Sequence, residues 1–103
     1  MSQHYYETTD INGNALKVTL GFDRPLGHFF MFIEREGEDE PIYSNLHEDE
    51  AFSLDLNHYK KVLDGMSIEV PKSMFEQVML DEKFLVGNRY VWHKPDATFN
   101  EHG

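Results

Sequence analysis

The densest apolar run of the chain is residues 27–36, GHFFMFIERE. In a strand, Phe29, Met31 and Ile33 point to one side and Phe30 and Phe32 to the other. Apolar residues on both sides predict a strand inside a sheet, partnered on both edges and covered on at least part of both faces. The rest of the chain is expected to assemble around it.

Before this run, residues 4–9 alternate weakly and carry Tyr5 and Tyr6. Residues 15–22 alternate cleanly, with Leu16, Val18, Leu20 and Phe22 against Lys17, Thr19 and Gly21, as in a half-buried strand. Asn12-Gly13 between them is a hairpin signal, because a type I′ turn needs positive φ at both central residues. Pro25 and Gly27 mark the next turn. After it, residues 42–47 read as a fourth strand, with Ile42, Ser44 and Leu46 on one side and Tyr43, Asn45 and His47 on the other. Four consecutive strands with tight connections predict a meander.

The periodicity then changes. Leu56, Tyr59, Val62 and Leu63 fall at helical spacing behind a cap at Asp55 or Asn57, and Gly65 is placed to end the helix in the left-handed conformation. Pro71 suits the first position of a second helix, whose apolar face is Met74, Phe75, Val78 and Met79. Residues 84–93 hold the last strand, with a bulge or turn at Gly87-Asn88 and alternation of Tyr90 and Trp92 with Val91 and His93. From Pro95 the tail is polar and expected to fray, unless Phe99 pins it. No internal repeat or linker divides the chain.

These elements predict a single α+β domain over residues 1–103. It has a mostly antiparallel sheet, made of a four-strand N-terminal meander plus a C-terminal strand, with two helices packed on one face. The other face must then be partly open. That leaves Phe30 and Phe32 to be covered by the tail, a second copy or a ligand, and exposed aromatic surface marks interaction sites.

Composition narrows the function. The 103 residues suffice for one core, and an aromatic share of 14% makes a disordered chain a poor fit. There is no cysteine, which excludes disulfides, thiolate metal sites and cysteine nucleophiles and favours a cytoplasmic location. No apolar run has the length of a membrane span, and the first residues lack the pattern of a signal peptide. The net charge of −10 argues against broad binding of nucleic acid or anionic lipid and favours basic partners.

Nine acids and one base lie between Glu34 and Asp55. Glu34, Glu36, Glu38, Asp39, Glu40, Glu48, Asp49 and Glu50 are the candidate acidic patch, complementary to a basic protein surface. Phe30, Phe32, Tyr43, Tyr90 and Trp92 are the candidate aromatic centre, since Trp and Tyr anchor interfaces. Stacking of bases on these rings is disfavoured, because only Arg89 and Lys94 stand nearby.

Two alternatives concern the histidines. His28 and His93 sit at strand ends and could meet as an acid–base pair, in a small-ligand pocket or a hydrolase-like enzyme, if those strands are neighbours, near Asp23 or Glu34. The run His47, Glu48, Asp49, Glu50 could share a divalent ion, although no histidine spacing matches a known metal motif and the EF-hand pattern is missing. No nucleophile elbow or phosphate loop occurs. The sequence thus predicts a small, non-catalytic module that binds a basic protein surface without a cofactor. An inhibitor-like factor or accessory subunit fits this, with self-association through the open face as a related expectation.

Overall fold

Residues 1–102 are described by a computed structural model. Six strands form one sheet: β1 (Ser2–Thr9), β2 (Ala15–Asp23), β3 (His28–Arg35), β4 (Tyr43–Ser44), β5 (Arg89–His93) and β6 (Phe99–His102). Two helices, α1 (Leu56–Gly65) and α2 (Lys72–Lys83), separate β4 from β5. The strand order is β4-β3-β2-β1-β5-β6. The class is α+β, as the pattern predicts, but the sheet is mixed. β1 to β4 follow one another antiparallel, whereas β5 runs parallel to β1. The helices carry the chain back across one face, so β5 enters beside β1 in the same direction.

β2 supplies most of the core. Leu16, Val18, Leu20 and Phe22 are all buried, and three of them pack with Met31 and Ile33 of β3 against Tyr59 and Leu63 of α1 and Met74 and Val78 of α2. Each such side chain stabilises by roughly 1.5–3 kcal/mol when fully buried. β3 does lie inside the sheet, but not at its centre. β4 covers its outer edge only at Phe32 and Ile33.

Several local expectations change. The first hairpin has a longer loop than a two-residue turn: Asp10 O accepts from Gly13 N–H, the Asp10 carboxylate accepts from the N–H groups of Asn12 and Asn14, and Gly13 alone has positive φ. The fourth strand stops at Ser44. Its hydroxyl accepts from Leu46 N–H and starts a 3₁₀ turn at Asn45–His47, and Asn45 Nδ2 donates to Ala51 O. Gly65 is an ordinary helical residue, and Ser67 instead takes the left-handed position after α1. The tail does not end in a frayed coil: a turn at Lys94–Ala97 returns the chain as β6, with Phe99 opposite His93.

Gly21 explains how the open side of the sheet is finished. A Cβ there would lie 2.4 Å from Cζ of Phe30 and 2.1 Å from the Ser2 carbonyl oxygen. Without it, the Phe30 ring reaches over Gly21 of β2 and is buried although no helix covers it.

No helix among the described residues is long and apolar enough to cross a membrane.

Candidate functional site

The registers of the five strand pairs set one row of side chains across the face that carries no helix: Ser44, Phe32, Thr19, Tyr5, Trp92 and Asn100. The next row on that face includes Phe30, Gln3, Tyr90 and His102. Four of the five predicted aromatics, Phe30, Phe32, Tyr90 and Trp92, therefore share this face. Tyr90 and Trp92 are 38% and 41% exposed. Phe30 and Phe32 stack at 6.1 Å between centroids, and the Tyr5 and Trp92 rings lie 4.9 Å apart. Lys17 Nζ sits 4.7 Å from the centre of the Tyr5 ring, a cation–π contact on the same surface. Tyr5 is an addition to the predicted set. Alternation could not place it beside Trp92, because that needs the parallel pairing of β1 with β5.

Tyr43 belongs elsewhere. It pairs with Ile33 and packs against the core on the helix side. Its hydroxyl donates to Glu48, whose carboxylate also meets His58 Nε2 at 2.8 Å. The Tyr43 hydroxyl, chiefly, and His58 hold the Glu48 carboxyl below the usual range, while burial and Glu48 push Tyr43 above its ordinary value. Glu48 is thus engaged within the chain.

The other acids divide by position. Glu34 faces the open side, in register with Lys17. Glu36 and Glu38, with Glu7 and Glu34, line a broad hollow at the end of β1–β3, together with Lys17 and Arg35. Asp39 and Glu40 are exposed in the same loop, and Asp49 and Glu50 are exposed beyond the 3₁₀ turn.

The two alternative histidines are not brought together. β2 and β1 lie between β3 and β5, and the strand alternation puts His28 on the open face and His93 on the helix side. The expected acid–base pair of His28 and His93 does not form. Nor do His47, Glu48, Asp49 and Glu50 converge: among the described residues no group of three or more potential ligands could hold a metal ion.

His93 has a different partner. Its Nε2 lies 2.8 Å from Nδ1 of His4, His4 Nε2 lies 2.6 Å from Asp81 Oδ2, and Ser73 Oγ lies 2.8 Å from His93 Nδ1. Arg89 donates to the other Asp81 oxygen at 2.7 Å and to Gln77 and Glu101. With both imidazoles neutral, one arrangement satisfies every link: Ser73 O–H to His93, His93 N–H to His4, His4 N–H to Asp81. Burial, reinforced by the neighbouring His4 ring and the charge of Arg89, pushes His93 down to about 4. Burial alone would raise Asp81, but hydrogen bonds from His4, Ser2 and Arg89 outweigh it and hold the carboxyl below its usual range. The order hydroxyl, imidazole, imidazole, carboxylate has the connectivity of a proton relay. Yet all four side chains are 6% exposed or less, so no substrate reaches the hydroxyl in this conformation. The chain of bonds fastens α2 to β1 and β5.

Compared with known proteins, the chain matches no family model, no curated protein and no solved structure.

Proposed function

We propose that this chain is a non-catalytic protein-binding module that recognises a basic surface of another macromolecule, as an inhibitor-like factor or accessory subunit of the cytoplasm. One observation carries the reading: Tyr5, Phe30, Phe32, Tyr90 and Trp92 lie on a single sheet face that neither helix covers. Aromatic side chains offer large contact area at low entropic cost, and Trp and Tyr are enriched among the residues that dominate binding. Glu7 and Glu34 stand on the same face, with Glu36 and Glu38 at its border. A net charge of −10 draws in a basic partner at long range, and the nearby acids set its orientation. The same charge repels a second copy, so a basic partner is the better occupant than a homodimer.

Affinity capture from a host lysate tests this in three arms. Wild type is compared with Glu38→Gln/Asp39→Asn/Glu40→Gln and with Trp92→Ala, each at low and at high salt. The expected result is a partner held at low salt, released at high salt, and weakened in both variants. Capture that ignores both salt and the variants contradicts the reading.

A further inference from the structure

One part of the uncovered face is concave. The stacked rings of Phe30 and Phe32 floor a hollow of about 270 Å³ walled by Leu26, Leu46 and Phe52. These three walls are 69%, 67% and 62% exposed, so apolar surface is gathered around the hollow. The hollow has room for one bulky side chain and leaves the chain's own core intact.

The hollow is almost wholly apolar, and its one carboxylate, Asp23, specifies what accompanies that side chain. Among the described residues no lysine or arginine lines it, whereas Asp23 does; Met1 also lines it, with its α-ammonium bonded to Asn88. His28 also lines it, and its ring packs on Phe52 at 4.8 Å. Nδ1 of His28 lies 3.0 Å from the Phe29 carbonyl, to which it donates, so in the neutral ring Nε2 carries the lone pair. That Nε2 is buried and has no hydrogen-bond partner among the described residues. In this conformation it is closed to a ligand, as the Ser73 hydroxyl is, so Asp23 is the group left to meet a charged neighbour. Leu46 and Phe52 also flank Asp49 and Glu50, both exposed.

We propose that this hollow is the anchor pocket of the binding face, taking one bulky apolar side chain of a protein partner. An adjacent lysine or arginine of that partner pairs with Asp23. The assignment rests on the protein-binding reading above and adds to it the class of residue recognised. A second copy of this chain is the poorer fit, because each copy carries −10 and repels the other.

The test selects random twelve-residue peptides displayed on phage against immobilised wild type. The enriched peptides are then measured in solution against Leu46→Glu, Asp23→Asn and Trp92→Ala, each first checked for an unchanged thermal melt. The pocket predicts enrichment of Leu, Met or Phe next to Lys or Arg. It also predicts a loss of roughly tenfold or more in Leu46→Glu, as for a central interface anchor, and a smaller loss in Asp23→Asn, which keeps the shape and removes the charge. Peptides lacking that pattern, or bound equally by Leu46→Glu, overturn the pocket. If such peptides are weakened by Trp92→Ala and by salt, the wider face stands without it. If they respond to none of the three variants and not to salt, the protein-binding reading falls as well.

Discussion

His4 and His93 stand 89 positions apart in the chain, yet their imidazole nitrogens meet at 2.8 Å in the interior. The contact exists because β5 pairs parallel with β1, setting Val91 beside His4 and His93 one pleat further on the same face. With Asp81, Arg89 and Ser73 it forms the polar tie between the sheet and α2.

That tie makes stability depend on pH. His93 is depressed from 6.5 to about 4 in the fold, so between these values the unfolded chain binds the extra proton. The associated stability is fully present above 6.5 and is lost as pH falls toward 4, by at most about 3 kcal/mol. Denaturant midpoints measured across this window should fall for wild type. His93→Gln should be less stable at neutral pH and show a flatter profile. Asp81, being lowered, contributes in a separate window below its ordinary value of 3.8.

Removing the anion should be worse than removing its exposed neighbour. Asp81 is fully buried between His4 and Arg89. Asp81→Asn leaves Arg89 without its buried counter-charge and is expected to cost about 3–5 kcal/mol in chemical unfolding. Glu101→Gln breaks the half-exposed side of the same arginine and should cost less than about 1 kcal/mol.

Gly21 and Gly65 should respond to alanine in opposite directions. At Gly21 the new Cβ meets the Ser2 carbonyl and the Phe30 ring, and the carbonyl belongs to the sheet backbone. Overpacking of this kind costs about 1–3 kcal/mol or more, and it should expose Phe30. Gly65 has helical geometry, and no atom lies within 4 Å of where an added Cβ would stand. Gly65→Ala should therefore stabilise by up to about 0.5–1 kcal/mol. Thermal melts of the two variants check both signs.

Both helices are followed by a residue other than glycine in the left-handed region. Ser67 follows α1 at φ 58°, with Ile68 N–H bonded to Leu63 O. Leu85 follows α2 at φ 49°, with Val86 N–H bonded to Asp81 O. Glycine is the usual residue at this position, and a bulky side chain is strained there. Leu85→Gly should therefore raise the unfolding free energy by about 1 kcal/mol, since the Leu85 side chain is exposed and loses little packing. Chemical unfolding of this variant beside wild type checks the sign.

Local patterns in the sequence carry much of this architecture. Alternation marks β2 and β5, a dense apolar run marks β3, helical spacing marks α1 and α2, and the open face follows from placing both helices on one side. What such patterns do not carry is long-range or single-atom in origin. The parallel entry of β5 depends on how the helices cross the sheet, and with it go the Tyr5–Trp92 and His4–His93 contacts. The pairing of His28 with His93 fails for the same reason, since it needs neighbouring strands. Tyr43 suits the aromatic centre by residue type, whereas its hydroxyl is drawn to Glu48 on the helix side. Ser44 and Asn45 cut the fourth strand short through side-chain bonds that an alternating pattern does not register. Phe30 is sealed by the missing side chain of Gly21, a gap visible only once β2 and β3 are in register.

The central claim is that the helix-free face is where another protein binds, and amide chemical shifts test it most directly. Isotope-labelled protein is titrated with the captured partner, or with a peptide from the selection. The account predicts shifts concentrated at Tyr5, Thr19, Phe32, Leu46, Phe52 and Trp92. Shifts confined to α1 and α2, with the open face unmoved, contradict it.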